Sequence, residues 1–305
     1  MSEHVNFKEF EEVLRDGDIT PEQRRIAEQI IELDSESPIP RLRLIPGIVV
    51  EDMPEDFDVD NEVYKLLRWK IDEEREMKIQ AGRISSEPEV VTEGDSWFYH
   101  PCIRTIGQWL ERDNGFNSVN IAYHGDTLDE IMAARQWEGK IDRDKTKYLL
   151  LSAGGNDLQD KIMDYIYDYD QERPIDQYIT DLGLQKIKDI GEGYGDVLSS
   201  ISNKFPTTKT LCYGYDYPRP NNSGQYIGKY LKNKGIPEDM MIPIMSNVID
   251  ALHTVPSHSI SVFPGAIYVD CRGVTTPADS WYDDMHPDSK SFFKLTSEFK
   301  THMVF

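Results

Sequence analysis

From Glu89 to its end, the 305-residue chain alternates short apolar runs with helical patterns, and this alternation limits its fold more than any other feature. The runs are Val90-Val91, Ser118 to Tyr123, Lys147 to Ser152, Thr208 to Tyr213 and Ala266 to Cys271. A chain that repeats strand then helix builds a parallel sheet covered by helices on both faces. Right-handed crossovers leave few topologies, and the simplest is a flavodoxin-like three-layer α/β/α sandwich around a five-stranded parallel sheet. Two long inserts interrupt the repeat. Residues 158–207 read as mainly helical; residues 219–264 open with a loop and then carry Met240, Met241, Ile244, Met245 and Ile249. Methionines at that spacing fit plain core better than an adaptable acyl pocket. A closing helix within Pro287 to Phe305 should turn Phe292, Phe293, Leu295 and Phe299 inward.

A parallel sheet brings the carboxyl ends of its strands to one rim, where open α/β folds place ligands. Four polar segments fall there: Gly94-Asp95-Ser96, Gly125, Gly154-Gly155-Asn156-Asp157 and Asp283-Asp284-Met285-His286. A serine hydroxyl is a weak nucleophile until a base takes its proton, and His286 is the evident base for Ser96. The base needs a carboxylate to fix its tautomer, and Asp283, three residues earlier, suits that role, with Asp284 as its rival. An oxyanion needs donors fixed in advance. The backbone N–H of Ser96, the N–H of Gly125 and the side-chain amide of Asn156 can supply three, and Gly125 lets the backbone approach a ligand closely.

These four blocks, in this order and each at a strand end, resemble the SGNH, or GDSL-type, hydrolase family. The matching positions are Gly94-Asp95-Ser96, Gly125, Gly154-Gly155-Asn156-Asp157, and Asp283, Met285, His286 and Pro287 with Asp284 between. The resemblance covers roughly residues 89–305. It implies a metal-independent serine esterase or lipase-like hydrolase on a three-layer fold, with no cofactor. Ser96 would then be the nucleophile and part of the oxyanion hole, Gly125 and Asn156 would complete the hole, His286 would be the base and Asp283 its orienter. Trp97 stands where leucine is usual, in the aromatic run Trp97-Phe98-Tyr99, so the resemblance does not carry a substrate.

Other constellations weigh less. Asp95, Asn156, Asp157, Asp283 and His286 could be set against a metallophosphoesterase site, but such sites take several histidines and the second block has none after its asparagine. His100 and His124 lie near the rim and read as structural hydrogen-bonders before substrate contacts. Asp157 reads as a loop brace. Gly191, Gly193 and Gly195 follow a helical pattern, which argues against a nucleotide loop. No Gly-x-Ser-x-Gly elbow occurs, which argues against the ordinary α/β-hydrolase class. Two alternatives stay open beside hydrolysis: acyl transfer with the same residues, and an inactive SGNH-like interaction module.

Lys and Arg total 33 against 55 Asp and Glu, a net charge of −22, which disfavours nucleic acid and anionic lipid as partners and favours a neutral or cationic small-molecule ester. No run of eighteen apolar residues suggests a membrane span and no secretory signal opens the chain, so the expected compartment is cytoplasmic. Cys102, Cys212 and Cys271 are too few for a disulfide framework or a zinc site; Cys212 and Cys271 read as buried thiols before a cross-strand disulfide. Residues 1–88 read as an acidic, mainly helical extension preceding a catalytic domain over 89–305. Its expected parts are a helix from Phe7 to Leu14, a helix capped at Thr20-Pro21 that runs through Ile31, an extended acidic stretch from Pro38 to Asp60, and a helix from Asn61 to Gln80. Packing on the main domain is the first reading of this extension, and docking of a protein partner the second.

Overall fold

The computed structural model describes residues 4–6, 31–33, 42–46, 48–53, 58–100, 103–277 and 279–304. The chain divides into two compact units, Met1–Arg83 and Ile84–Phe305. In the first, the described residues form a parallel pair of short strands, His4–Asn6 with Val49–Glu51, an antiparallel pair, Ile31–Leu33 with Leu42–Leu44, and a helix, Val59–Gln80. Ile31 is thus a strand residue instead of the end of a helix. The stretch expected to be extended linker holds two strands, because Leu42-Arg43-Leu44 and Val49-Val50 have the alternation or β-branching that pairing favours. The expected helices over Phe7 to Leu14 and from Thr20 to Ile30 lie outside the described residues, as does Cys102.

The second unit is built on Val90–Gly94 (β1), Ser118–Asn120 (β2), Tyr148–Ser152 (β3), Lys209–Gly214 (β4) and Ala266–Asp270 (β5). They form one five-stranded sheet, parallel throughout, in the order β2-β1-β3-β4-β5. Every residue of β1 and β3 is buried, as a parallel sheet covered on both faces requires. The connecting helices are Ile106–Asn114 (α1), Leu128–Ala134 (α2), Gly155–Gln159 (α3), Ile162–Tyr165 (α4), Asp181–Lys204 (α5), Gly228–Asn233 (α6), Glu238–Ser261 (α7) and Ser289–Thr301 (α8). Right-handed crossovers put α1 on one face and α2, α5 and α7 on the other. Packing agrees: α8 lies against α1, and α5 against both α2 and α7.

Local chemistry sets several boundaries. Thr105 begins α1 where its N–H donates to Gln108 Oε1 at 3.0 Å. Thr127 and Glu130 close a reciprocal capping box at the start of α2. The second strand is shorter than its apolar run because Asn120 Oδ1 accepts the Ala122 N–H at 2.9 Å, bending the chain. Ile121 and Tyr123 still donate to Thr92 and Gly94 of β1. In α8, Phe292, Leu295 and Phe299 are fully buried as expected, but Phe293 is 41% exposed and packs its ring on Trp109 at 5.2 Å. It sits one residue round the helix from Phe292, which places it off the buried stripe. Cys212 and Cys271 are buried free thiols.

One close approach fixes the strand that leads into the site. Gly94 has φ +139°, and a Cβ there would lie 2.1 Å from the Ser152 carbonyl oxygen of β3. Gly94→Ala therefore combines backbone strain with a backbone clash and is expected to cost about 3 kcal/mol or more. Gly195, inside α5, faces open space, so Gly195→Ala is expected to stabilise by about 0.5–1 kcal/mol. Urea denaturation of both variants checks the pair. A Gly94→Ala protein as stable as the parent contradicts this account of the strand end.

Candidate active site

In the order β2-β1-β3-β4-β5 the chain leaves β1 toward one edge and resumes at β3 toward the other. The loops after β1 and β3 therefore diverge, and the crevice between them is the ligand position of a doubly wound sheet. Ser96 follows β1 by two residues, and Asn156 sits at the start of α3 after β3. Both line the same cleft, which Met285 also reaches from the loop after β5.

Ser96, His286 and Asp283 form a continuous relay. His286 Nε2 lies 2.8 Å from Ser96 Oγ, and His286 Nδ1 lies 2.8 Å from Asp283 Oδ2. A carboxylate can only accept, so Nδ1 carries the proton and Nε2 presents its lone pair to the serine hydroxyl. Asp283 is itself fixed by its own loop: its Oδ1 accepts the N–H groups of Met285 at 2.8 Å and His286 at 2.6 Å. Burial pushes the Asp283 carboxyl up, but the charge and hydrogen bond of His286, with His100 and the Met285 N–H, outweigh that and hold it below the ordinary carboxylate range. It is therefore ionised at neutral pH. Asp284 points elsewhere, accepting the N–H groups of Tyr226, Ile227 and Gly228 at 3.1, 2.7 and 2.7 Å. Asp283 is thus the aspartate hydrogen-bonded to His286, and Asp284 is not.

The imidazole is fully buried and ringed by aromatic groups. His100 lies 4.8 Å away centroid to centroid, Tyr226 5.9 Å and Trp97 6.5 Å. Burial, and then the proximity of His286, push the His100 pKa well below its ordinary value, so it is a neutral wall residue. His124 is also buried and stacks on Tyr123 at 4.4 Å. His100, Asp283 and His286 bring possible ligand atoms within 4.8 Å of one another. Each nitrogen of His286 already has a partner, so those atoms are arranged as a proton relay, not as an open metal cage. Trp97 is 4% exposed and packs among Tyr213, Tyr215 and Phe292 at 5.2 to 5.5 Å, floor to the serine above it.

The three proposed oxyanion donors are less alike than the sequence suggested. Among the described residues, no acceptor takes the backbone N–H of Ser96 or Gly125. The Asn156 amide, by contrast, donates to the Asp126 carbonyl at 2.9 Å and reaches that of His124 only at 3.5 Å. It thus clasps the loop that carries Gly125. Asp157 braces the neighbouring helix, accepting the Leu128 N–H at 3.0 Å and Lys186 Nζ at 3.2 Å.

Sequence reasoning missed the network beneath Ser96. Asp95 is buried and accepts from Ser152 Oγ at 2.6 Å, from the Trp97 N–H at 3.1 Å and from the Tyr215 hydroxyl in a short hydrogen bond. The Tyr215 oxygen in turn accepts the Gly155 N–H at 3.1 Å. Burial, and then the Asp95 charge, push the Tyr215 hydroxyl well above its ordinary value, so it stays a donor. Burial raises the Asp95 carboxyl, and the bonds from Ser152, Tyr215 and Trp97 offset part of that. The signal was available: Tyr215 follows β4 and so lies at the same rim as the other four segments.

No family model matches the chain, and no curated protein does. Among solved structures it is similar to the phospholipase A1 from Streptomyces albidoflavus, at 15% identity and a TM-score of 0.48 over 72% of this chain and 100% of that one. It is similar to an extracellular lipase from Streptomyces rimosus, at 15% identity and a TM-score of 0.45 over 70% and 99%. A variant of an acetyl xylan esterase from Geobacillus stearothermophilus shares 16% identity at a TM-score of 0.40 over 73% and 99%.

Because Tyr215 ties the loop after β1 to the start of α3, Tyr215→Phe leaves a buried carboxylate and a backbone N–H short of a partner. The variant is expected to lose about 1–3 kcal/mol of stability. Tyr217→Phe, which removes a part-exposed bond to Asp250, is expected to lose about 1 kcal/mol or less. Thermal denaturation of the two proteins tests the contrast, and equal losses would contradict it.

Proposed function

We propose that the chain is a serine hydrolase of the SGNH (GDSL) type that cleaves a carboxylic ester through an acyl-enzyme. The observation that carries this reading is the unbroken relay from Ser96 Oγ through His286 to Asp283, with 2.8 Å at each link. Its position at the switch between β1 and β3 supports it further.

The steps follow from the atoms. Ser96 Oγ attacks the ester carbonyl carbon while its proton passes to His286 Nε2. The imidazolium is stabilised by the ionised Asp283 on the other nitrogen. Negative charge moves to the carbonyl oxygen, where the N–H groups of Ser96 and Gly125 have no competing acceptor among the described residues. The weaker-held proton of the Asn156 amide is the third donor, while its other proton keeps the Gly125 loop in place. Collapse of the tetrahedral adduct breaks the ester C–O bond, and the alkoxide leaves with the proton from Nε2. Water then attacks the acyl-serine with His286 again as base, returning the free acid and the serine hydroxyl.

No helix among the described residues is long and apolar enough to cross a membrane. The catalytic unit is assigned to residues from Ile84 onward; the first unit is assigned no part in the chemistry.

A fluorophosphonate probe is expected to label the protein at Ser96, and Ser96→Ala to lose both the label and at least about four orders of magnitude of ester turnover. Asn156→Ala is expected to retain labelling with kcat lowered by about 10²–10³-fold. Mass spectrometry of the labelled peptide and a chromogenic ester assay read these outcomes. Label on another residue, or undiminished turnover by Ser96→Ala, would falsify the assignment.

A further inference from the structure

We propose that the acyl group this site accepts is a medium-length, unbranched aliphatic chain, and that helix α7 supplies the surface that measures it. The inference rests on the ester-hydrolase reading above and adds the substrate class.

The cleft beside Ser96 is a narrow cavity of about 50 Å³ that opens to solvent at its mouth. One wall is a stripe of α7: Met245, Val248, Ile249 and Leu252, spaced three, four and seven residues apart and therefore on one helix face. Leu158 and Ile162, from the start of the other insert, line it as well. Both inserts that break the strand–helix repeat thus converge on this space. Met241 and Ile244 of α7 are fully buried as core, whereas Met245 belongs to the core and to the cleft wall at once. The acyl-pocket reading of the methionines, second at the level of sequence, fits Met245.

Most polar groups of the cleft are already committed. Asp95 and Tyr215 are bonded to each other, and Gln159 donates to the Tyr226 carbonyl. Asp216 accepts the N–H groups of Gly273 at 2.6 Å and Thr275 at 2.7 Å. A sugar ring needs several hydrogen-bond partners when it leaves water, and beyond the oxyanion donors at Ser96 and Asn156 most of the polar side chains here are already engaged. Among the described lining residues none is cationic, so a phosphate or second carboxylate finds no counter-charge. Hydrocarbon is the chemistry that remains.

Orientation and length follow from the same residues. The cleft is walled by Ser96, Gly155 and Asn156, the oxyanion-donor side of the serine. The alcohol takes its proton from His286 Nε2 while the acyl carbonyl lies against the oxyanion donors, so the apolar space that borders those donors falls to the acyl half of the ester. From Met245 to Leu252 the stripe runs about 10 Å along the helix, the length of an extended chain of about eight carbons.

The test is a series of p-nitrophenyl esters from acetate to dodecanoate, run beside a series of acetate esters with growing alkyl alcohols. The acyl series is expected to rise by up to about fourfold in kcat/KM per methylene, to an optimum near octanoate. The alcohol series should change little. Val248→Phe or Met245→Trp, which fill the stripe, should move the optimum to shorter acyl groups; having two variants covers the failure of either to fold. Calorimetry on Ser96→Ala supplies a readout free of catalysis, with methyl octanoate expected to bind at least tenfold tighter than methyl butanoate. A series that falls from acetate onward, chain-length dependence in the alcohol alone, or equal binding of the two methyl esters overturns the proposal. Absence of fluorophosphonate labelling defeats the ester-hydrolase reading instead, while the binding comparison still decides whether the cleft measures a hydrocarbon chain.

Discussion

The contact on which the rest depends is the parallel pairing of β1 with β3, closed at its end by Gly94 against Ser152. Two strands that are neighbours in space but separated by an excursion to the sheet edge must release their following loops in opposite directions. That divergence opens the crevice, and the missing side chain at Gly94 lets β1 run close to β3 up to the residue before Asp95. A bulkier residue there would push apart the two strand ends that carry Ser96 and Asn156. The fold makes the site by topology, and the strand end sets its tolerance.

What holds the crevice in shape is a buried carboxylate instead of apolar packing. Asp95 gathers Ser152 from β3, Tyr215 from the end of β4 and the Trp97 N–H from its own turn. A buried carboxyl is expensive unless it is well bonded, and the bonds from Ser152 and Tyr215 each tie a different rim segment to the serine turn. The second aspartate of the loop that carries His286 also braces its surroundings, since Asp284 secures three successive N–H groups at residues 226–228. Asp216 does so again for residues 273–275. Asp284 and Asp216 act on backbone and Asp95 mainly on side chains, so the strongly acidic composition describes part of the rim architecture as well as the surface.

The strand–helix order, the five strands and their common rim were legible because a buried parallel strand leaves a continuous apolar run and a helix leaves a 3.6-residue period. Boundaries were not, where a side chain competes with the ladder: Asn120 ends β2 three residues before its apolar run stops. The identity of the relay was legible from residue types at strand ends, but the choice between Asp283 and Asp284 needed the positions of the Tyr226 to Gly228 amides. Tyr215 escaped notice for a different reason. Its place at the rim was legible, but its role depends on a partner 120 residues away, the Asp95 carboxylate. The short strands of the first unit escaped because three-residue pairs carry too little periodicity to separate from loop.

The inserts show how one chain can serve stability and selectivity with the same helix. The buried residues of α7 include Met241, Ile244, Met245, Val248, Leu252, Pro256 and Ile260, which follow the period expected of a helix pressed on a sheet and on α5. Part of that same stripe borders the cleft beside Ser96. A residue in this position is constrained twice: its volume must fill the layer between sheet and α5, and its outer atoms define the space a ligand occupies. Methionine suits such a place at residue 245, because an unbranched thioether can adjust its rotamer without opening a void. Pattern alone separates core from pocket poorly here, since a helix that lines a hydrocarbon site must be apolar on the face that would otherwise be core. The distinction lies in what stands opposite the stripe, and opposite this one stand the serine and its asparagine.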